Sequence, residues 1–340
     1  MRSTRRRLVA AALVTAWGAA ACGKPAKHHK DKKKHRDHDA GEQPVHAHDE
    51  GKLGVDPWAK EPTKDCERLP FAASIPIAEA SAAALLPGRS GPQLLVIGDS
   101  GTSGAYVEVG ADDGHLIASG NLPLGDGAGD DLEGLAYDGV RVWGLTSGGW
   151  MRAWVRDGDQ FRLDLGPYPA EPKGPCKHDG VNCGHDFEGL CLRPGNVVDS
   201  AGCVGYAAAR AAGSLFCLHL EGGKLVLAVA DGYQSAHPGP KVSKGRALAD
   251  CAIGADGAVW TGDNLLGGAM VRRLAAPTWQ GTLGDGFPEA MALAPGGVIY
   301  RFSDTGTAPS LAARYHCPAA EVAAGGGVIV DPPIAIDRDP

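Results

Sequence analysis

From residue 65 onward, apolar residues come in short runs that Gly, Asp and Pro keep interrupting. One stretch sets the pattern. Leu135–Tyr137, Val140–Leu145, Ala153–Arg156 and, after the Asp157-Gly158 turn, Phe161–Leu165 read as four successive strands. No segment sustains a helical period. Fifty glycines and 24 prolines among 340 residues suit a chain that turns back on itself repeatedly.

The pattern recurs. Glu133-Gly-Leu-Ala-Tyr-Asp-Gly-Val-Arg-Val-Trp143, Glu188-Gly-Leu-Cys-Leu-Arg-Pro194, Asp250-Cys-Ala-Ile-Gly-Ala-Asp-Gly-Ala-Val-Trp260 and Glu289-Ala-Met-Ala-Leu-Ala-Pro-Gly-Gly-Val-Ile-Tyr300 share one phrase. It runs from an acid through small or apolar residues and a turn to a strand. A fainter copy without the acid spans Ala82–Ile97, and the anchors lie 39 to 62 residues apart. Four-stranded units repeated at this period predict a β-propeller. Five blades are read directly, and a sixth assembled from poorly matching pieces is left open. The longest gap holds a polar insertion, 231–246, expected to loop over one face.

The ends read differently. Arg2, Arg5, Arg6 and Arg7 precede an apolar run, Leu8–Ala21, which is too short for a mature membrane span and has the layout of a signal peptide over residues 1–22. It closes on Ala19-Ala-Ala-Cys22-Gly23, which resembles the lipobox of bacterial lipoproteins; the resemblance implies lipidation of Cys22 and a membrane anchor without a spanning helix. By the same analogy Gly23 points to the outer membrane. Export as an unfolded chain is expected over the twin-arginine route that Thr4-Arg-Arg-Arg-Leu8 faintly suggests. Residues 23–64 are rich in His, Lys and Asp and have almost nothing apolar to bury, so a disordered tether is expected, able at most to bind a transition metal or anionic headgroups weakly. The β-propeller domain is assigned to 65–340.

Charge separates these parts. Residues 1–64 hold 14 of the 33 Lys+Arg and 8 of the 40 Asp+Glu, which leaves 19 bases against 32 acids in the domain. An acidic domain disfavours nucleic acid as a partner and suits a cation. The eight cysteines after Cys22 form an even set, as expected of disulfides in an exported chain. Cys176 with Cys183 is the local pair. Cys66 with Cys317 would join the ends of a closed ring, with Phe71–Ile77 as the strand completing the last blade. A metal knuckle of Cys176, His178, Cys183 and His185 does not match the usual zinc spacings.

The repeated acid carries the candidate chemistry. Glu133, Glu188, Asp250 and Glu289 open the first strands, while Asp99, Asp263 and Asp304 close the second ones. In an up-and-down sheet both positions lie at the same end. If the first strand is innermost, seven carboxylates face one mouth of the channel. Three roles are open: accepting backbone N–H groups, holding a divalent cation with hard oxygen ligands (Ca²⁺ first, Mg²⁺ second), or direct acid–base catalysis. Gly98-Asp-Ser-Gly101 looks like a protease nucleophile segment, but Ser303-Asp-Thr-Gly306 is its twin in another blade, so it reads as a turn.

Asp131-Leu-Glu-Gly-Leu-Ala136 and Asp186-Phe-Glu-Gly-Leu-Cys191 resemble the D-x-E-G-L-A phrase of the esterase-like phytase family. The E-G start is also similar to gluconolactonase and paraoxonase-type propellers, whose channel acids hold a metal. That resemblance implies Glu133 and Glu188 as channel ligands, with Asp250 and Glu289 as their counterparts. No cluster of Lys and Arg suits a phosphate-rich substrate. The function expected is therefore a lipid-anchored envelope propeller binding a small-molecule or protein ligand at a calcium-holding mouth. The alternative is a metal-dependent hydrolase of esters, lactones or phosphoesters using the same carboxylates.

Overall fold

The computed structural model describes residues 65–318, apart from 172–175, 178, 229–240, 244–246, 265–268 and 276–277. The signal, Cys22, the tether and most of the 231–246 insertion lie outside the described residues. Two short strands come first, β1 (Glu67–Leu69) and β2 (Ser74–Ile75). Five antiparallel sheets follow. Blade I has β3 (Ala80–Gly88), β4 (Gly91–Gly98), β5 (Ala105–Gly110) and β6 (Leu116–Asn121). Blade II has β7 (Leu132–Tyr137), β8 (Val142–Thr146), β9 (Trp150–Asp157) and β10 (Gln160–Pro169). Blade III has β11 (Phe187–Leu192), β12 (Gly205–Ala209), β13 (Ser214–Glu221) and β14 (Lys224–Leu227). Blade IV has β15 (Leu248–Ile253), β16 (Val259–Asp263), β17 (Met270–Arg273) and β18 (Trp279–Thr282). Blade V has β19 (Phe287–Ala294), β20 (Val298–Asp304) and β21 (Ser310–His316), with β1 as its outermost strand. The first strands touch in sequence, β3 to β7, β11, β15 and β19, and β19 returns to β3. This is a closed five-bladed β-propeller.

Side chains of opposite faces meet between the blades, so the core is divided into five apolar layers, one per blade interface. Trp143, Met151, Phe187 and Phe216 fill the layer between blades II and III, and Leu95, Ile97, Leu132 and Trp154 fill that between I and II. Trp260, Met291, Ile299 and Tyr315 fill the layer between IV and V. The strands around the axis come closest together and need small residues. A Cβ on Gly134 would lie 2.7 Å from Leu190 Cβ, and one on Gly189 would lie 2.7 Å from Asp250 Oδ1 and 2.8 Å from the Cys251 nitrogen. The glycine after the repeated acid thus lets neighbouring blades approach. Gly189→Ala is expected to cost about 2 kcal/mol, because the opposing contacts include backbone that cannot step aside. Urea unfolding measures it, and an unchanged midpoint would contradict this account.

Four disulfides join the domain: Cys66–Cys317, Cys176–Cys183, Cys191–Cys251 and Cys203–Cys217. The first is the pair expected of a closed ring, and the second is the pair expected from local spacing. The third links the innermost strands of blades III and IV. A bonded Cys176–Cys183 also removes the thiolates that a zinc knuckle would require. The closing strand differs from expectation. Instead of one strand over 71–77, β1 pairs Glu67–Leu69 with Arg314–His316 and β2 pairs Ser74–Ile75 with Ser310–Leu311. Pro70 and Pro76 lack the N–H a continuous ladder needs, which splits the segment into two pieces.

Candidate functional site

Each innermost strand carries a β-bulge near its start, where its register with the second strand slips by one residue. The bulged residues are Ser81, Glu133, Glu188, Ala249 and Glu289 in blades I to V. A bulged residue leaves the ladder and its side chain is re-aimed. The end of the second strand supplies a matching position. Asp99, Ser147, Arg210 and Asn264 each donate a backbone N–H to the carbonyl two residues before the bulge, on Glu79, Asp131, Asp186 and Ala247, at 2.8–3.1 Å. In blade V, Asp304 pairs with Phe287, which holds the same place. Three tiers therefore surround one mouth.

Five of the seven expected carboxylates occupy these tiers: Glu133, Glu188, Glu289, Asp99 and Asp304. They act on one another. Burial raises the Glu289 carboxyl to about 7, with Asp304 and Asp99 adding to the effect and Arg210 and Asn264 opposing it. Asn264 Nδ2 donates to Glu289 Oε1 at 3.0 Å. Asp304 Oδ1 accepts the Gly306 N–H at 2.6 Å.

Asp250 and Asp263 stand elsewhere, each one residue out of step. Ala249, not Asp250, is the bulged residue of blade IV; Asn264, not Asp263, holds the mouth position. Asp250 is buried between blades and accepts the N–H groups of Cys251 at 2.7 Å and Met291 at 2.6 Å. Burial pushes its carboxyl well up, while those two bonds and nearby Arg301 oppose the rise. Asp263 is paired with Arg272 on the adjacent strand. Both acids bind protein groups, so among the described residues blade IV presents Ala247, Ala249 and Asn264 at the mouth.

Residues outside the expected set complete the site. Asp131 and Asp186 each precede a bulged Glu by two positions. Carboxylate oxygens of Asp99, Asp131 and Glu133 all lie within 4.8 Å of one another. Asp131 is 2% and Glu133 5% exposed. Asp131 Oδ2 accepts the Ser147 hydroxyl, whereas its Oδ1 has no hydrogen-bond partner among the described residues. Burial raises the Asp131 carboxyl to about 6, with Asp99 adding to it and Ser147 opposing. Burial lifts Glu133 well above the usual range, with Glu188, Asp99 and Asp131 adding repulsion.

Blade III resolves the same two-acid phrase differently. Arg210 Nε donates to Asp186 Oδ2 at 2.9 Å, and its Nη2 lies 3.0 Å from Glu188 Oε1 and donates to Asn182 Oδ1 at 3.1 Å. Burial still carries Glu188 to about 9, against the pull of Arg210. Blade III thus contains its own counter-cation. In blade II the equivalent of Arg210 is Ser147, and no basic side chain is ion-paired with Asp99, Asp131 or Glu133 among the described residues.

The fold and this mouth define a disulfide-bonded, five-bladed β-propeller with a carboxylate cluster at one end of its channel. The sequence matches no protein-family model and no curated protein. Solved structures with a similar fold include a streptogramin B lyase, at 10% identity over 74% of this chain and 97% of that one, with a TM-score of 0.43. The glutaminyl cyclase of Myxococcus xanthus is similar at 15% identity over 73% and 95%, with a TM-score of 0.42. The Cps50 (Swd1) β-propeller domain of Myceliophteria thermophila is similar at 13% identity over 68% of each chain, with a TM-score of 0.32. Likeness this distant carries nothing about activity.

Proposed function

We propose that this chain is an exported, lipid-anchored envelope propeller whose mouth binds Ca²⁺ through Asp99, Asp131 and Glu133, and through the ion a small-molecule or protein ligand. The carrying observation is internal to the molecule. One two-acid phrase occurs in adjacent blades; blade III pairs it with Arg210, while in blade II Ser147 holds that place and Asp99 of blade I adds a third carboxylate. Three clustered carboxylates, two of them buried and none ion-paired with a base among the described residues, are costly, so they either keep protons or take a cation. Hard oxygen donors favour Ca²⁺ or Mg²⁺. Oxygens up to 4.8 Å apart can share one ion with Ca–O distances of about 2.3–2.6 Å. The unpartnered Asp131 Oδ1 supplies a free donor atom.

Calcium favours 6–8 oxygens, and three side chains leave several positions for waters or for oxygens of a bound ligand. Such positions suit a binding module. They would equally serve a hydrolase, and metal-dependent turnover of an ester or phosphoester panel would move the reading there. The lipobox-like Ala19–Cys22 and the even set of cysteines support the anchored, exported part of the proposal. The direct test is calorimetric titration of the chelator-treated protein with CaCl₂, alongside elemental analysis of protein purified without chelator. One strong site per chain is expected, since Arg210 occupies the equivalent place in blade III. Absence of any calcium heat, with no bound metal by elemental analysis, would refute the cation reading.

A further inference from the structure

The four disulfides are not equally protected. Cys66, Cys317, Cys191, Cys251 and Cys203 are buried, so every bond but one has at least one buried end; both Cys176 and Cys183 are half-buried. That half-buried bond spans only seven positions of sequence, and Asn182 within the span touches Ser147 of the mouth. Gly148 sits beneath the bond, where a Cβ would come within 2.8 Å of the Gly180 oxygen and 3.4 Å of Cys176 Cβ.

Asn182, next to Cys183, reaches the site in two directions. Its backbone N–H donates to Ser147 Oγ at 2.8 Å, and its Oδ1 accepts from Arg210 Nη2 at 3.1 Å. Since Ser147 Oγ accepts from Asn182, the hydroxyl proton is directed to Asp131 Oδ2, which leaves Oδ1 unpartnered. Asn182 and Asp186 both sit at positive φ, 49° and 55°. Asn and Asp enter this region more readily than other non-glycine side chains, and neighbouring bonds select it here. The ring closure and the Asp186 N–H bond to the Cys183 oxygen at 3.0 Å are those bonds.

We propose that the Cys176–Cys183 ring positions the cation's ligands through Asn182 and Ser147, so that reduction of this disulfide weakens cation binding. The proposal rests on the cation reading above. An external dithiol would open the bond: one thiolate attacks a sulfur, and the second thiol resolves the mixed disulfide. Two electrons and two protons pass to Cys176 and Cys183 as the dithiol becomes a cyclic disulfide. With the ring open, Asn182 no longer fixes the Ser147 hydroxyl, and Asp131 loses its set orientation.

Calcium titration of the full chain tests this in three forms: oxidised wild type, Cys176→Ser/Cys183→Ser, and Ser147→Ala, which leaves every disulfide intact. Both variants are expected to raise the Kd for Ca²⁺ at least tenfold, and metal-free melting of each variant tells a loss of binding apart from a loss of fold. Mild dithiothreitol, with mass spectrometry confirming reduction of this bond alone, should give the same rise. If wild type binds calcium and either variant binds it equally tightly, the positioning proposal fails and the cation reading stands. If wild type binds none, both fall. Should the cysteine variant fold poorly, Ser147→Ala decides alone.

Discussion

Asp131→Asn/Glu133→Gln is expected to abolish measurable calcium binding, with a Kd at least a hundredfold higher, and at the same time to stabilise the metal-free protein. The two effects have one cause. Burial and mutual repulsion raise both carboxyls, Asp131 to about 6 and Glu133 well above its usual range. An acid with a raised folded pKa holds more protons folded than unfolded between the two values. Metal-free stability therefore falls as pH climbs from about 4 through about 6 for Asp131 and about 7 for Glu289. Neutral amides remove that loss for the two substituted positions. At pH 8 the gain should reach about 1 kcal/mol or more, some 2–4 °C in melting temperature. Calcium affinity of the wild type should move the other way, rising with pH as Asp131 ionises. A structural role, in which these acids merely accept backbone N–H groups, predicts the reverse for stability. Calorimetric melting at pH 5 and pH 8, with and without calcium, separates the two; a variant less stable than wild type without metal would remove the cation argument.

The contrast with Asp250 shows why both signs must be measured. Asp250 is also buried and raised, yet its two oxygens hold backbone N–H groups of Cys251 and Met291 beside Arg301. Its replacement would strand those donors and destabilise the fold, with little effect on calcium. One residue of register separates these roles. In a strand, successive side chains point to opposite sides, and a one-residue slip exchanges them completely.

That slip marks how far the residue string could be read. The blade rhythm is plain because apolar runs and turn residues alternate strongly, and the repeated acid marks the starts of three first strands at Glu133, Glu188 and Glu289, where the structure has its bulges. In blade IV an acid follows one place later, opposite Gly262 rather than in the bulge. Aligning Leu248 with Leu132 and Phe187, instead of acid with acid, would have assigned Ala249 to the mouth and exposed the offset. Asp131 and Asp186 stood in the same quoted phrase, with only the bulged Glu read as a ligand. Arg210 had no local signal at all. It reaches the mouth because it ends the second strand of its blade, the place held by Ser147 in blade II, and strand lengths vary too much for spacing alone to align them. The Cys176–Cys183 pair is legible as a local pair, but the Asn182 N–H bond to Ser147 depends on tertiary contact that spacing does not show.

The largest effect on stability is expected from opening the ring. Cys66→Ser/Cys317→Ser should cost about 5 kcal/mol in the chain-entropy model, since the bond closes a loop of 251 residues. Cys203→Ser/Cys217→Ser, with a separation of 14, should cost about 3 kcal/mol by the same reasoning. The Cys191–Cys251 bond shortens the larger loop by 60 residues, but the dependence is logarithmic and the ranking survives. Geometry points the same way. β1 has only three residues, and apart from its ladder to β21 it is secured by the Arg68–Asp285 pair at 2.7 Å and by Cys66 buried against Trp260 and Tyr315. Without the disulfide, this strand should leave the edge of blade V first, and limited proteolysis before residue 80 should accelerate. Denaturant unfolding of the two double variants provides the comparison. If removing Cys203–Cys217 proves the more damaging, the ring is held by its inter-blade layers, and joining its two ends contributes little.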